Sequence, residues 1–240
     1  MANKRAVILA GGKGTRLRPY TIALPKPLVP LGETPILEII IRQLARSGFD
    51  HITMAVNHQA EIIKAFFRDG ERWGLRIDYS LEDKPLSTMA PLKLVRDLPA
   101  HFLVMNGDIL TDLDFGEFYD LHVQRDGIFT ISSHAREEMI DYGVLESDTQ
   151  GQLTGFREKP RYAYEVSMGV YMVSQRALGM IPPDVAFGFD HLMHRLIKAG
   201  TLPDVRRHDG YWLDIGRPDD YAKAIEEYES DPARFMADRM

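Results

Sequence analysis

The chain contains no cysteine, which excludes a disulfide framework, a thiolate metal site and a cysteine nucleophile. No stretch of its 240 residues approaches the roughly 18 apolar residues of a membrane span, and no signal-peptide core follows the N-terminus. The 29 basic residues are outnumbered by 35 acidic ones, so the net charge of −6 provides no global field for nucleic acid or an anionic membrane. These absences favour a cytoplasmic protein with neither nucleic acid nor membrane among its partners.

The composition, 45% hydrophobic and 27% charged, is that of a globular protein, and the chain has no repeat, low-complexity segment or linker. Short apolar runs alternate with amphipathic stretches. This rhythm predicts an α/β fold with a mostly parallel sheet covered by helices on both faces. The predicted strands are 6–9, 51–56, 75–80, 102–105 and 128–133, and the predicted helices are 35–47, 60–67, 91–97 and 115–124.

The second half of the chain predicts a mixed or antiparallel extension of that sheet. Residues 142–146 and 153–157 are typical of a hairpin, residues 170–173 of a strand, and residues 205–213 of two more. A last amphipathic stretch, 218–230, predicts a surface helix, and the segment after Asp231 is expected to be peripheral.

A glycine-rich loop follows the first predicted strand at the position where parallel sheets bind ligands. Gly11, Gly12 and Gly14 have neither the spacing of a dinucleotide fingerprint nor the closing Lys-Ser/Thr of a P-loop. Without side chains in the way, such backbone can bring N–H groups close to a phosphate. A simple tight turn between strand and helix is the alternative.

Charged residues strengthen the phosphate interpretation. Arg16 lies just beyond the loop, and Lys26 is held between two prolines, where less conformational freedom is lost on binding. Asp108 follows a predicted strand, and Asp214 ends a similar one in Trp-Leu-Asp-Ile-Gly. Two carboxylates that converge could hold one Mg²⁺ with phosphate oxygens. Two unrelated turn aspartates are the alternative.

One long segment, residues 11–38, closely resembles the amino-terminal signature of the sugar-1-phosphate nucleotidyltransferases, or NDP-sugar pyrophosphorylases. The resemblance extends from Ala6 to about Glu227. It implies a Rossmann-like, mixed and mostly parallel sheet flanked by helices, of the nucleotide-diphospho-sugar transferase type. It also implies one catalytic domain over 1–230, with a nucleotide-binding half (1–135), a sugar-binding half (136–230) and a tail (231–240).

The resemblance assigns roles residue by residue. It implies that Arg16 and Lys26 are catalytic, on the departing pyrophosphate and the reacting phosphates, and that Asp108 and Asp214 bind Mg²⁺. The nucleotide-binding positions are Leu9, Ala10, Gly11, Gly12, Gly14, Thr15, Glu82, Ser87 and Thr88. The positions implied for the sugar phosphate are Gly143, Glu158, Lys159, Ser167 and Gly169.

Two segments depart from the family pattern. The base-binding segment reads Ser-Thr-Met-Ala (87–90) instead of a glycine-rich sequence, so its Cβ atoms and Met89 are expected to narrow the floor under the base. The sugar motif reads Ser-Met-Gly-Val-Tyr (167–171), in which Ser167 is too short for the usual two-ended amide contact.

The resemblance implies that the enzyme transfers a nucleotidyl group from an NTP to a sugar 1-phosphate with release of pyrophosphate. We expect guanylyl transfer to a mannose- or heptose-like sugar, with uridylyl or thymidylyl transfer to a hexose 1-phosphate as the alternative. A second alternative is a non-catalytic subunit that binds an NDP-sugar. A third, a cytidylyl- or molybdopterin-type transferase, is less consistent with the Pro-Lys-Pro and Glu-Lys-Pro segments.

Two further expectations concern proton transfer and assembly. The attacking phosphate oxygen is already an anion, so no general base is needed and His58, His191 and His194 are interpreted as helix-face or packing residues. No hexapeptide repeat that would form a C-terminal β-helix is present, so any oligomer, such as a homodimer, is expected to form through the core.

Overall fold

The computed structural model describes residues 4–57 and 59–236, so His58 and residues 237–240 of the tail lie outside the described residues. The strands are β1 (Lys4–Leu9), β2 (Pro30–Leu31), β3 (Thr34–Pro35), β4 (Phe49–Val56), β5 (Arg76–Leu81), β6 (His101–Asn106), β7 (Ile109–Thr111), β8 (Phe129–Met139), β9 (Val144–Ser147), β10 (Leu153–Arg157), β11 (Arg161–Ser174), β12 (Asp204–Arg207) and β13 (Trp212–Asp214). The α-helices are α1 (Ile36–Arg46), α2 (Ala60–Phe67), α3 (Phe115–Gln124), α4 (Phe189–Lys198), α5 (Pro218–Ser230) and α6 (Pro232–Met236). Across the described ranges, no helix combines the length and apolar character needed to cross a bilayer.

Seven strands form the central sheet in the order β12-β8-β11-β6-β1-β4-β5. The strands β5, β4, β1 and β6 are parallel neighbours, and β12 is parallel to β8. Only β11 is reversed within this sheet, because it pairs antiparallel with both β6 and β8. The predicted mixed, mostly parallel sheet is confirmed.

Alternating side chains place one hydrophobic cluster on each face of the sheet. On β1, Ala6 and Ile8 belong to one cluster and Val7 to the other, and on β6 Leu103 and Val104 divide in the same way. This is the period of two that a strand imposes. Helices α1, α2, α3, α5 and α6 contribute to the first cluster and α4 to the second, so both faces are covered, as predicted.

Several elements differ from the sequence prediction. β11 begins at Arg161, nine residues before the predicted strand, and β8 continues to Met139. The added parts of both strands pair with each other and are mostly exposed, so they have no continuous apolar run to reveal them. The predicted helix over 91–97 is a short 3₁₀ helix, Ala90–Leu94, and α4 was not predicted.

The helix α6, which follows Asp231, packs against the domain and is not peripheral. Phe235 of α6 is buried in the first cluster, where its ring lies 5.3 Å from that of Tyr211 and 6.0 Å from that of Tyr228. Arg234 Nε donates to Asp112 Oδ2 at 2.7 Å. The expectation of a peripheral segment was therefore wrong for this helix, because an aromatic anchor and an ion pair fix it to the domain.

Candidate active site

The glycine loop follows β1, which lies between β6 and β4 in the sheet. Its first amide, that of Ala10, donates to the carbonyl of Ala55 at 2.8 Å. The loop ends at Gly14, whose φ of 61° is left-handed, and the Thr21 hydroxyl donates to the Gly14 carbonyl at 2.7 Å. A Cβ on Gly14 would lie 3.1 Å from Cβ of Lys26, so the loop and Lys26 are closely packed.

The amides of residues 11–13 have no hydrogen-bond partner among the residues that the structure describes. A Cβ added to Gly12 would meet nothing within 4 Å, so this part of the loop faces open space. Unpaired N–H groups beside open space can receive an anion.

The loop forms one wall of a cleft of about 730 Å³ at the carboxyl ends of β1, β4 and β6. This is where ligands bind in open α/β sheets. The cleft brings together most of the residues expected to contact nucleotide, and it is lined by Leu9, Ala10, Gly11, Gly12, Lys13, Lys26, Pro27, Asn57, Glu82, Pro85, Leu86, Ser87, Thr88, Asn106, Gly107 and Asp108. Gly14, at the end of the loop, and Thr15 and Arg16, in the 3₁₀ helix that follows it, do not line the cleft.

Lys26 and Asp108 form a direct ion pair on the floor of the cleft. The Lys26 side chain is only 10% exposed and that of Asp108 20%. Pro25 precedes Lys26 in an extended conformation, and Lys26, Pro27 and Leu28 form a buried 3₁₀ helix. The backbone therefore holds this lysine where its ammonium group faces the cleft, although its stem is buried.

Asp214 reaches the same place through a small antiparallel ribbon. β13 pairs with β7 so that Asp214 lies opposite Ile109, and the amide of Ile215 donates to the carbonyl of Asp108 at 3.1 Å. Asp214 is open to solvent on one side, yet enough protein surrounds it that desolvation raises the pKa of its carboxyl. The charge of Asp108 raises that pKa further, and Lys26 and Arg16 oppose it. The two carboxylates are thus near neighbours.

Arg16 approaches this pair from the glycine loop. A Cβ on Gly216 would lie 3.7 Å from Arg16 Nη2, 3.6 Å from Asp214 Oδ2 and 3.5 Å from Asp220 Oδ2. Arg16, Lys26, Asp108 and Asp214 therefore lie around one crevice rather than on separate surfaces.

The two carboxylates could bind a divalent cation whose remaining ligands are phosphate oxygens and water. Nowhere in the described part of the chain do three or more His, Cys, Asp or Glu side chains form a cluster that could hold a metal. Mg²⁺ usually takes one or two carboxylates and fills its octahedron with phosphate oxygens and water. Asp108 and Asp214, already close enough to repel each other, match that requirement.

The segment expected to form the floor under the base is arranged differently from the prediction. Ser87, with φ of 66°, and Thr88 line the cleft, but Met89 is fully buried in the second hydrophobic cluster and does not line it. The amides of Met89 and Ala90 both donate to the carbonyl of Phe187. The turn at Ser87 directs Met89 into the core, so the expectation that it narrows the cleft was wrong.

Glu82 stands opposite the glycine loop. Its Oε1 would lie 3.3 Å from a Cβ on Gly11, and its Oε2 accepts from the Leu86 amide at 3.3 Å. Burial raises the pKa of Glu82, and the Leu86 amide partly offsets this.

Ser167 and Gly169 lie at an irregularity in β11, where the pairing register with β8 shifts. Gly169 has φ of 74°, and a Cβ there would fall 2.6 Å from Asn106 Nδ2. The Ser167 hydroxyl donates to the Tyr171 hydroxyl at 3.1 Å and accepts from the Gly169 amide at 3.3 Å. The structure therefore brings this expected sugar motif against Asn106, on the cleft wall.

The other three residues expected near the sugar form a separate group in the loops that precede β9 and follow β10. A Cβ on Gly143 would lie 3.3 Å from Glu158 Oε2. Lys159 Nζ lies 2.8 Å from Asp141 Oδ1, and both side chains are more than half exposed. None of Gly143, Glu158 and Lys159 lines the cleft.

Asn57 and Asn106, which line the cleft, and Asp220, which lies near Arg16 and Asp214, were not singled out from the sequence as site residues. Asn57 follows β4, and Asn106 ends β6, so the carboxyl-end rule would have found both. Asp220, in the first turn of α5, adds a third carboxylate near Arg16 and Asp214. The spacing of residues in the sequence does not reveal that Asp220 lies near Arg16 and Asp214, because this depends on how α5 is oriented after β13.

Comparison with known proteins identifies the family. Residues 5–231 match the family described as Nucleotidyl transferase. The chain is 34% identical over 241 residues to the UTP–glucose-1-phosphate uridylyltransferase of Synechocystis sp., which covers 92% of this chain. It is 32% identical over 241 residues to a probable mannose-1-phosphate guanylyltransferase of Oryza sativa subsp. japonica, covering 93% of the chain. The chain spans 62% and 64% of those two relatives, respectively.

Solved structures share the fold. HddC from Yersinia pseudotuberculosis, in complex with GMP-PN, superposes with a TM-score of 0.72 at 26% identity, over 94% of this chain and 99% of its own. A putative glucose-1-phosphate thymidylyltransferase from Bacillus anthracis, in complex with a sucrose, has a TM-score of 0.76 at 20% identity, over 93% of this chain and 94% of its own, and supports the fold alone. By the match of nearly its whole length, the chain belongs to the nucleotidyl transferase family.

Proposed function

We propose that this protein transfers a nucleotidyl group from an NTP to a sugar 1-phosphate, giving an NDP-sugar and pyrophosphate. The observation that carries the proposal is the crevice in which Lys26, Arg16 and the pair Asp108 and Asp214 meet beside the glycine loop. The match to the family and the names of the relatives support the same reaction class.

The chain's own residues account for binding and charge neutralisation. The unpaired amides of residues 11–13 can donate to the triphosphate, and Arg16 can neutralise the departing pyrophosphate. Lys26 can exchange its contact with Asp108 for a phosphate oxygen. The sugar phosphate oxygen is already an anion and needs no base, so positioning and electrostatic stabilisation supply the catalysis.

We assign Asp108 and Asp214 as the residues that would hold Mg²⁺. When bound, the ion would neutralise charge on the phosphates and orient them. The carboxylate repulsion that raises the pKa of Asp214 would be relieved by a cation between the two groups.

Among nucleotides, we propose guanylyl transfer to a mannose- or heptose-like 1-phosphate. Guanylyltransferases among the relatives and the solved complex with GMP-PN support this choice. Uridylyl or thymidylyl transfer to a hexose 1-phosphate is the second candidate, favoured by the 34% identity to a uridylyltransferase.

We propose that the sugar phosphate is bound by Gly143, Glu158, Lys159, Ser167 and Gly169. In this proposal residues 1–135 form the nucleotide-binding half of the domain and residues 136–230 the sugar-binding half.

The test is pyrophosphate release from a panel of five NTPs, each offered with mannose 1-phosphate, a heptose 1-phosphate and glucose 1-phosphate. We expect GTP to give the highest kcat/KM. Lys26→Ala should lower the rate on the order of 10²-fold or more, because a fixed charge on the reacting phosphates is lost.

Lys198→Ala is the matched control, since Lys198 ends α4 on the exposed surface. Thermal melting of each variant establishes that it is folded. Normal turnover by folded Lys26→Ala would contradict the assigned role. Absence of pyrophosphate release with every NTP would refute the transferase and leave an NDP-sugar-binding subunit.

A further inference from the structure

A second polar cavity, of about 550 Å³, lies beside β1, β4 and β5, and none of its lining residues also lines the active-site cleft. Arg5 is the second residue of β1 and lies four residues before Leu9, which corresponds to about 13 Å along a strand. The cavity is also bounded by His51 and Thr53 of β4, by residues 76 and 78–80 of β5 and by the end of the 3₁₀ helix Ala90–Leu94 with the loop that follows it. The charged or titratable side chains that line it are Arg5, His51, Arg76, Asp78, Tyr79, Arg96 and Asp97.

Arg5 is a buried cation whose hydrogen bonds all go to neutral groups. It is 6% exposed. Its Nε and Nη2 donate to the Thr53 hydroxyl at 3.1 and 2.7 Å, and its Nη1 donates to the carbonyls of Arg96 and Asp97 at 2.9 and 3.0 Å. Burial lowers the pKa of its guanidinium, while Asp78 and Asp97 raise it from a distance. Buried charges in proteins are normally paired.

One of the two carboxylates that line the cavity, Asp78, is engaged by other partners. Asp78 accepts from Arg76 Nη2 at 3.0 Å and lies 2.7 Å from His51 Nε2. The guanidinium of Arg96 is exposed and has no hydrogen-bond or ion-pair partner within residues 4–57 and 59–236. Three arginines thus share the cavity with two aspartates, one of which is already paired twice.

We propose that this cavity binds a phosphate or phosphate-monoester anion, with Arg5 beneath the anion and Arg96 closing on it from the loop. The site is separate from the proposed active-site cleft, because no residue lines both cavities. An anion here supplies the negative charge that Arg5 lacks among its direct partners, and the free guanidinium of Arg96 can give a bidentate contact.

His51 provides a local reporter. Burial lowers the pKa of its imidazole, Arg5 and Arg76 lower it further, and the hydrogen bond to Asp78 opposes them. An anion that offsets the two arginines favours protonation of the ring. The His51 C2–H resonance, assigned by its loss in His51→Gln, should therefore move as the cavity fills.

The experiment titrates the full chain with inorganic phosphate at constant ionic strength and near neutral pH. We expect a saturable shift of the His51 resonance, with an apparent Kd at least tenfold weaker in Arg96→Gln. Arg136→Gln, which removes an exposed arginine from β8 three strands away from β1, should titrate like the wild type. Lys26→Ala should also leave the shift unchanged, because phosphate in the active-site cleft does not reach His51.

A second titration uses glucose 6-phosphate. Whichever of the two, inorganic phosphate or the sugar phosphate, has the lower Kd is the preferred class of ligand. A His51 resonance that does not move, that moves without saturation, or that titrates identically in Arg96→Gln would overturn the proposal. If the Arg5→Gln variant folds, it should also bind phosphate more weakly. If it does not fold, the Arg96→Gln variant still decides the test, because Arg96 is exposed and its loss should not prevent folding.

Discussion

His122 gives the protein a stability that depends on pH. The residue lies near the end of α3 and is 1% exposed. Its Nδ1 lies 2.7 Å from the Thr130 hydroxyl and its Nε2 lies 3.1 Å from His101 Nδ1. Burial, and secondly the neighbouring His101, lower the pKa of His122 from 6.5 to about 4. The folded protein therefore keeps this ring neutral in mildly acidic solution.

The sign of the effect follows from proton uptake. As the pH falls through about 6.5 the unfolded chain binds a proton on this ring, whereas the folded protein binds it only near pH 4. The contribution of neutral His122 to the free energy of unfolding is complete above pH 6.5 and is lost progressively as the pH falls towards 4. Each pH unit removes about 1.4 kcal/mol, so the loss reaches roughly 2 kcal/mol at pH 5.

Urea unfolding followed by circular dichroism at about pH 7 and about pH 5 tests this magnitude. His122→Gln keeps a polar group beside Thr130 but removes the titration, so it should lose about 2 kcal/mol less than the wild type between the two conditions. His194→Gln, at an exposed position of α4, should behave like the wild type. Equal losses in the wild type and His122→Gln would refute the reasoning.

Two further substitutions test packing. Gly169→Ala puts a Cβ 2.6 Å from Asn106 Nδ2 at a left-handed φ, and should lower pyrophosphate release at least tenfold in a folded protein, whereas Gly179→Ala, with open space around its Cβ, should not. Phe235→Ala should lower the free energy of unfolding by about 3 kcal/mol in urea titration, because its ring is buried, while Phe66→Ala, 39% exposed, should lower it by less than about 1.5 kcal/mol. Equal effects within either pair would contradict the packing that the structure describes.

The nucleotide side of the site could be predicted in large part from the sequence. Two apolar runs, ending at Leu9 and Met105, are strands whose carboxyl ends meet at one edge of a parallel sheet, so the loop after the first and Asp108 after the second had to be neighbours. The same rule applies to Asn57 after β4. The rule works because parallel strands run in the same direction, so their carboxyl ends lie along the same edge of the sheet.

Other features depend on contacts that no local pattern encodes. Asp214 reaches Asp108 only because β13 pairs with β7, and the two strands are separated by about a hundred residues of chain. Met89 stands in a polar turn, where its side chain was expected to face the ligand. The positive φ of Ser87 and two hydrogen bonds to Phe187 turn it into the core instead. A sequence pattern gives the residue types of a turn but not the direction in which each side chain points.

The charges of the crevice indicate when a metal ion would bind. Arg16 and Lys26 supply two positive charges against Asp108 and Asp214, with Asp220 as a third carboxylate nearby. With no ligand, Lys26 already neutralises Asp108, so the crevice has little positive charge to spare for a triphosphate. A triphosphate brings several negative charges, which two basic side chains cannot balance alone. Asp108 and Asp214 would hold a divalent ion that supplies the missing positive charge, so we expect such an ion to be required for nucleotide binding. The entry of phosphate would draw Lys26 away from Asp108 and release that carboxylate for the ion. Without a ligand, the ion pair between Lys26 and Asp108 compensates both charges, and a bound phosphate would compete with Asp108 for the lysine.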